Sequence, residues 1–67
     1  MKNIDKIQIK LELLWKDNWT SYAIIINPSF ERDIYLNQEI GKSISLEEHF
    51  GMPVIISREI KEFHIAI

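Results

Sequence analysis

Residues 7–26 read IQIKLELLWKDNWTSYAIII, and this stretch decides the predicted fold. Apolar side chains occupy every second position of its first half: Ile7, Ile9, Leu11, Leu13 and Trp15. Alternation of this kind places the apolar set on one face of a β-strand. The second half, Trp19 to Ile26, is rich in the aromatic and β-branched residues that suit strands. Because Asp and Asn favour tight turns, Asp17-Asn18 between the two halves predicts a β-hairpin over 7–26.

The length of the turn sets the register of this hairpin. A two-residue turn at Asp17-Asn18 pairs Leu13 with Tyr22 and groups the large apolar side chains on one face. A three-residue turn would instead place Trp15 opposite Trp19. We predict the two-residue turn, because it hides more apolar surface on a single face.

After the hairpin, the chain shows signals for a turn and a further strand. Asn27-Pro28 ends the second strand, because proline cannot donate a hydrogen bond to a sheet. Alternating apolar positions predict a third strand at 33–37. A turn is expected at 38–41, with Gly41 as its positive-φ residue, followed by a short extended piece at 42–45.

A short helix is expected at 46–50. Ser45 and Glu48 stand at the spacing of a capping box, in which the serine caps the first turn of a helix. Gly51 is a typical residue to end such a helix. The carboxylates near the start of this segment therefore have a structural explanation in the helix dipole.

The last segment allows two interpretations. Its Val, Ile and Phe residues favour two strands, at 53–57 and 61–66. Helical spacing of apolar residues over 58–67, with Ser57 as the N-cap, is the alternative. We predict the two strands. The fold class expected from the whole sequence is mainly β with a minor helical part: a small antiparallel sheet or partly open barrel of four to five strands, with one short helix near 46–50.

Length and composition limit the classes of protein. The chain has 67 residues, a formal charge of −2 and no cysteine. We expect one domain, residues 1–67, without disulfides or cysteine metal sites. A core this small is marginal, which favours association into oligomers.

The start of the chain, MKNIDK, lacks the apolar segment of a signal peptide. No apolar run approaches the length that spans a membrane. The sequence therefore predicts a cytoplasmic protein without a membrane partner.

No residue pattern predicts catalysis, a metal ion or a cofactor. The two histidines, His49 and His64, lack the spacing of a known zinc site. We expect His49 to stabilise the end of the short helix and His64 to lie on a strand, opposite its neighbours Phe63 and Ile65. No serine shows a nucleophile-elbow motif, and there is no cysteine nucleophile. The chain is therefore expected not to be an enzyme.

The leading hypothesis is a non-catalytic protein-binding module, such as a small inhibitor or adaptor of a larger enzyme or complex. Aromatic and arginine side chains are enriched at binding hot spots. The candidate partner-binding residues are Trp15, Lys16, Trp19, Ile25, Arg32 and Tyr35. Two alternatives stay open: a small β-barrel that binds single-stranded oligonucleotides, which the acidic net charge disfavours, and a structural homo-oligomer that pairs strand edges within Val54–Ile67 across a two-fold axis.

Overall fold

The computed structural model describes all 67 residues. The chain forms three helices and three strands, which turns and loops connect. In chain order these are α1 (Asn3–Lys16), β1 (Ala23–Ile26), α2 (Pro28–Leu36), α3 (Leu46–Phe50), β2 (Val54–Ile56) and β3 (Phe63–Ala66). The strands form one sheet in the order β2-β1-β3, which does not close. The predicted mainly β fold with four to five strands is therefore wrong, and the chain has a small α+β fold.

The central strand of the sheet is β1. It pairs with β2 in parallel and with β3 in antiparallel orientation. Parallel neighbours need a long crossover connection, and the segment with α2 and α3 supplies it here. The expectation that all neighbouring strands are antiparallel is wrong for β1 and β2.

The predicted hairpin over 7–26 is wrong, because its first half belongs to helix α1. The buried side chains of α1 are Ile4, Ile7 and Leu11, three and four positions apart, which is the spacing of one helical face. This helical pattern begins at Ile4, before the alternating stretch, and shares Ile7 and Leu11 with it. Three of the alternating residues are largely exposed: Ile9 (43%), Leu13 (56%) and Trp15 (45%).

The turn at Asp17-Asn18 exists, but it ends a helix instead of joining two strands. Asn18 has a φ of 65°, and the N–H of Trp19 donates to the carbonyl of Leu14 at 2.9 Å. Asn tolerates this left-handed conformation better than most residues. The predicted pairing of Leu13 with Tyr22 across a hairpin is consequently wrong.

Asn27 and Pro28 end β1 as predicted and also begin α2. The side-chain oxygen of Asn27 accepts the N–H of Ser29 at 2.8 Å, which makes Asn27 the N-cap of the helix. Proline is favoured at the first helical position, where its missing N–H has no partner to lose. A signal that we interpreted only as a strand end therefore also starts a helix.

The predicted strand at 33–37 is wrong, because most of these residues belong to α2. Phe30 and Ile34, four positions apart, are buried, as expected for one face of a helix. Leu36 is 69% exposed, although the strand prediction placed it on the same side as Ile34. In this short segment, the period of a strand places Ile34 on the same face as Leu36, whereas the period of a helix places it on the same face as Phe30.

The connection after α2 also differs from its prediction. The positive φ lies at Gln38, at 52°, and Gly41 is not among the positive-φ residues. A turn in which the N–H of Ile44 donates to the carbonyl of Gly41 at 3.1 Å replaces the extended piece expected at 42–45.

Helix α3 is confirmed with the predicted bounds and caps. The Oγ of Ser45 accepts the N–H of Glu48 at 3.1 Å, and Gly51 ends the helix with a φ of 69°. Strands β2 and β3 lie within the predicted ranges 53–57 and 61–66, so the helical alternative for 58–67 is wrong.

The helices and one face of the sheet enclose the core. Its buried side chains are Ile4, Ile7, Leu11, Ile24, Ile26, Phe30, Ile34, Ile40, Leu46 and Ile65. The other face of the sheet has no helix on it. On that face Ile25 lies between Ile55 and His64 of the two outer strands, and Ile55 is 50% exposed. The molecule therefore has two layers, with helices on one side of the sheet.

A long-range contact holds the start of α1. Lys2 at the N-cap position makes no side-chain capping bond. The Oε1 of Glu39 instead accepts the N–H of Ile4 at 2.8 Å. A carboxylate at this place satisfies a free amide and complements the helix dipole, so residues after α2 stabilise the first turn of α1.

Candidate functional site

A groove runs along α1 and the outer edge of β3. It consists of two hollows of about 340 and 370 Å³, both lined by Lys10, Glu62 and Phe63. Further α1 residues that line it are Lys6, Ile9, Leu13 and Leu14. The remaining lining residues of the β3 segment are His64, Ile65 and Ile67. We call this feature the α1–β3 groove.

The periodicity of α1 explains why apolar side chains line the groove. Ile9 and Leu13 stand one helical turn apart and therefore share a face of the helix. They are 43% and 56% exposed and lie beside the buried Ile7 and Leu11. Helix α1 thus has a second apolar stripe, which the core leaves uncovered.

The outer edge of β3 has no partner strand, because β3 is the last strand of the sheet. The carbonyls of Glu62 and Ala66 accept hydrogen bonds from the β1 side, both at 2.8 Å. Successive peptide groups of a strand point in opposite directions. The N–H groups of Phe63, Ile65 and Ile67 therefore point away from β1, toward the open edge.

The composition of this edge is unusual for an exposed strand. Residues 63–67 read FHIAI and contain no Lys, Arg, Asp, Glu or Pro. Exposed edge strands usually carry charges or proline, which prevent pairing with another chain. Nothing in the side chains of this edge opposes the addition of a further strand.

Charged groups lie at the mouth of the groove. The Nζ of Lys6 is 3.4 Å from the Oε2 of Glu62 and 5.9 Å from the ring centre of Phe30. Exposed ion pairs of this kind contribute little to stability. Lys10 takes part in no ion pair. With Lys6 and Lys10 against Glu62, the side chains of the groove carry one excess positive charge in a chain whose net charge is −2.

Three of the predicted partner-binding residues lie close together in the chain. Trp15 and Lys16 are in the last turn of α1, and Trp19 follows the turn at its end. The Nε1 of Trp15 donates to the Oγ of Ser21 at 2.9 Å. Trp15 and Trp19 are 45% and 54% exposed.

The other three predicted residues lie elsewhere. Ile25 is on the open face of the sheet, and Arg32 and Tyr35 are on α2. The Oη of Tyr35 accepts the N–H of Leu46 at 3.0 Å, which gives this side chain a structural contact with the start of α3. None of the six predicted residues lines the α1–β3 groove. Their role in binding stays a prediction.

The sequence contains one signal for the groove, and its meaning becomes clear only when the fold is known. The absence of charge from 63–67 is visible in the sequence, but its meaning depends on β3 being an edge strand. The alternating period of this segment predicts a core face for Ile9 and Leu13, whereas the helical period of α1 places them on an exposed stripe.

The two histidines lie where the sequence placed them. His49 is in the last turn of α3, with its ring edge-on to Phe50 at 4.7 Å. His64 is exposed on β3 and pairs in register with Ile25. No group of three or more His, Asp and Glu side chains is arranged to hold a metal ion.

A third hollow, of about 560 Å³, lies beside the start of α1 and is lined almost entirely by polar residues. These residues include Asp5 and Glu39. The backbone N–H of Ile4 in this region is already bonded to Glu39. The N–H of Asp5 is bonded as well, to the carbonyl of Lys2 at 3.1 Å, so these two amides are not free to hold a ligand.

No protein-family model, curated protein or solved structure matches this chain. Function is therefore inferred from the side chains and backbone of the α1–β3 groove. None of the helices has the length and apolar character needed to cross a bilayer. The longest, α1, has 14 residues, against about 20 for a typical membrane span.

Proposed function

We propose that this chain is a non-catalytic protein-binding module that takes an extended segment of a partner protein onto the outer edge of β3. The observation that carries the proposal is the uncharged edge with outward N–H groups at Phe63, Ile65 and Ile67, beside an apolar groove. In strand addition, main-chain hydrogen bonds supply affinity, and pockets for alternate side chains supply specificity. The α1–β3 groove offers both kinds of contact.

The groove also indicates what the bound segment should look like. Side chains that face the helix layer would meet Ile9, Leu13 and Phe63, so every second residue of the segment should be apolar. Lys10 lacks an ion-pair partner in this chain. A segment with an acidic side chain near Lys10 would be favoured over a basic one.

Binding by strand addition needs only the open edge of β3 and the α1–β3 groove. The ionisable side chains of the groove are Lys6, Lys10, Glu62 and His64, and the only ion pair among them joins Lys6 to Glu62. An inhibitor or adaptor that blocks or bridges a partner by strand addition fits these features. The alternative of oligonucleotide binding loses its expected scaffold, because the sheet is open and does not form a small barrel.

Peptide selection on the purified protein tests the proposal. Peptides from a random library should converge on alternating apolar residues with an acidic residue. Because an added lysine would attract that acidic residue, binding is compared with peptides in which glutamine replaces it. Ile67→Lys places a charge at the edge beside Lys10 and should weaken these peptides at least about tenfold, or ~1.4 kcal/mol. Binding is measured by fluorescence anisotropy of labelled peptides, after circular dichroism confirms that each variant is folded.

Ile55→Lys is the matched control for this experiment. It makes the same change of residue and charge on β2, the other outer strand, and the two isoleucines are similarly exposed, 50% and 54%. The control should bind the selected peptides as the natural chain does. Equal binding by the Ile67→Lys variant, or an equal loss in both variants, would contradict strand addition at β3.

A further inference from the structure

We infer that the edge of β3 also pairs with β3 of a second copy of this chain, so that two sheets join into one of six strands around a two-fold axis. The inference rests on the proposed function, since it names a partner for the same edge. A two-fold interface must be complementary to itself. The segment 63–67 meets this condition in its backbone, its side chains and its charge.

The outward N–H groups select one register for the antiparallel pair. If the axis passes at Ile65, Phe63 of each copy lies opposite Ile67 of the other. All three outward N–H groups, at Phe63, Ile65 and Ile67, then donate to the second copy. No other position of the axis within β3 satisfies all three.

The nearest alternative register is less favourable. An axis at His64 would pair Phe63 with Ile65 and leave the N–H of Ile67 outside the ladder. It would also place the two His64 side chains directly opposite each other. The axis at Ile65 is preferred, because it keeps all three outward N–H groups in the ladder.

The side chains of the preferred register are complementary. Ile67 is 54% exposed in the single chain and would lie beside Phe63 of the second copy. Ile9 and Leu13, which line the groove with Phe63, border the same interface. No Lys, Arg, Asp or Glu occurs in 63–67, so pairing brings no like charges of the strands together.

The size of this surface predicts weak association. A stable interface buries about 800 Å² on each partner, which is about a sixth of the 4756 Å² surface of this chain. One short strand edge and two helix side chains cover less than that. We therefore expect a dimer with a dissociation constant between about 10 μM and about 1 mM.

Sedimentation equilibrium of the complete chain tests this inference, over concentrations from about 10 μM to about 1 mM. The natural chain should shift from monomer toward dimer across that range. Ile67→Lys should weaken the dimer at least about tenfold, and the matched Ile55→Lys variant should dimerise as the natural chain does. A chain that stays monomeric throughout, or equal behaviour of the two variants, would overturn the inference.

A second measurement tests the register without any substitution. In a sample that mixes isotope-labelled and unlabelled chains, filtered nuclear Overhauser spectra detect contacts between copies only. Contacts from the Phe63 ring to the Ile67 methyl groups are expected. Intermolecular contacts confined to Ile25 and Ile55 would instead place the interface on the open sheet face and overturn the inference.

The two proposals fail in different ways. Selected peptides that bind a strictly monomeric chain and are lost in Ile67→Lys would overturn the dimer and leave the proposed function intact. A dimer that no selected peptide dissociates, with no peptide bound at β3, would overturn the proposed function and leave the dimer. Because both partners use one edge, peptides that bind there should dissociate the dimer.

Discussion

Single side chains connect parts of this molecule that are far apart in the sequence. Asn27 caps α2 through Ser29, and its Nδ2 donates to the carbonyl of Ile60 at 2.9 Å. One amide therefore fixes the end of β1, the start of α2 and the loop that leads into β3. Glu39 does the same for α1 through the N–H of Ile4. In a chain with few buried residues, such polar contacts set the positions of the elements.

At this scale we predict that Asn27→Ala lowers the free energy of unfolding by about 1–3 kcal/mol, the sum of a lost N-cap and a lost hydrogen bond. Urea denaturation followed by circular dichroism measures the change. Asn37→Ala is the control, because Asn37 ends the same helix, is exposed and makes no side-chain hydrogen bond. It should change the stability by less than about 0.5 kcal/mol. Similar losses in both variants would rule out a special role for Asn27.

Among the elements, α1 shows how one segment can support two periods. Leu11 and Leu13 belong to the same alternating set, so a strand would place them on one face. In the helix they point to different surroundings, with Leu11 fully buried and Leu13 56% exposed. A strand therefore predicts similar burial for these two leucines, whereas a helix predicts different burial.

Leu11→Ala should therefore destabilise the fold by about 2–5 kcal/mol, because it leaves a cavity in the core. Leu13→Ala should cost less than about 1 kcal/mol, since alanine favours helices and the leucine is mostly in solvent. Both are measured by urea denaturation at low protein concentration, where chain association does not contribute. Equal costs for the two leucines would support a strand and refute α1.

The whole molecule is a two-layer structure, with helices on one side of the sheet only. Side chains of the central strand β1 alternate between the core and the open face of the sheet. Ile24 and Ile26 face the core, and Ile25 lies on the open face with Ile55 and His64. Only 11 of 67 residues are buried. A chain of this size has little stability to lose, so the covered face dominates folding.

We predict that Ile24→Ala costs about 2–5 kcal/mol and leaves a large unfolded fraction. Ile25→Ala, one residue further in the same strand, should cost at most about half as much, because its side chain is only partly buried. Urea denaturation at low protein concentration measures both. A cost for Ile25 that equals that for Ile24 would show that the second face of the sheet is covered as well.

Local signals predicted some elements well and others badly. Helix α3 was predictable because its two caps, Ser45 and Gly51, act on adjacent backbone groups. Strands β2 and β3 were predictable from their β-branched and aromatic residues. Helix α1 was missed because the helical period began at Ile4, before the alternating stretch. The α1–β3 groove could not be predicted, because it joins residues more than 45 positions apart.

The sequence by itself determined the turn at Asp17-Asn18, the end of β1 at Asn27-Pro28 and the bounds of α3, because caps and turns depend on neighbouring atoms. It also determined that the segment 63–67 carries no charge. Only the tertiary structure decided that residues 3–16 form a helix, that β1 lies between a parallel and an antiparallel neighbour, and that β3 is an edge. The physical reason is that both periods were present in α1, and the choice between them depends on which side chains other elements can cover.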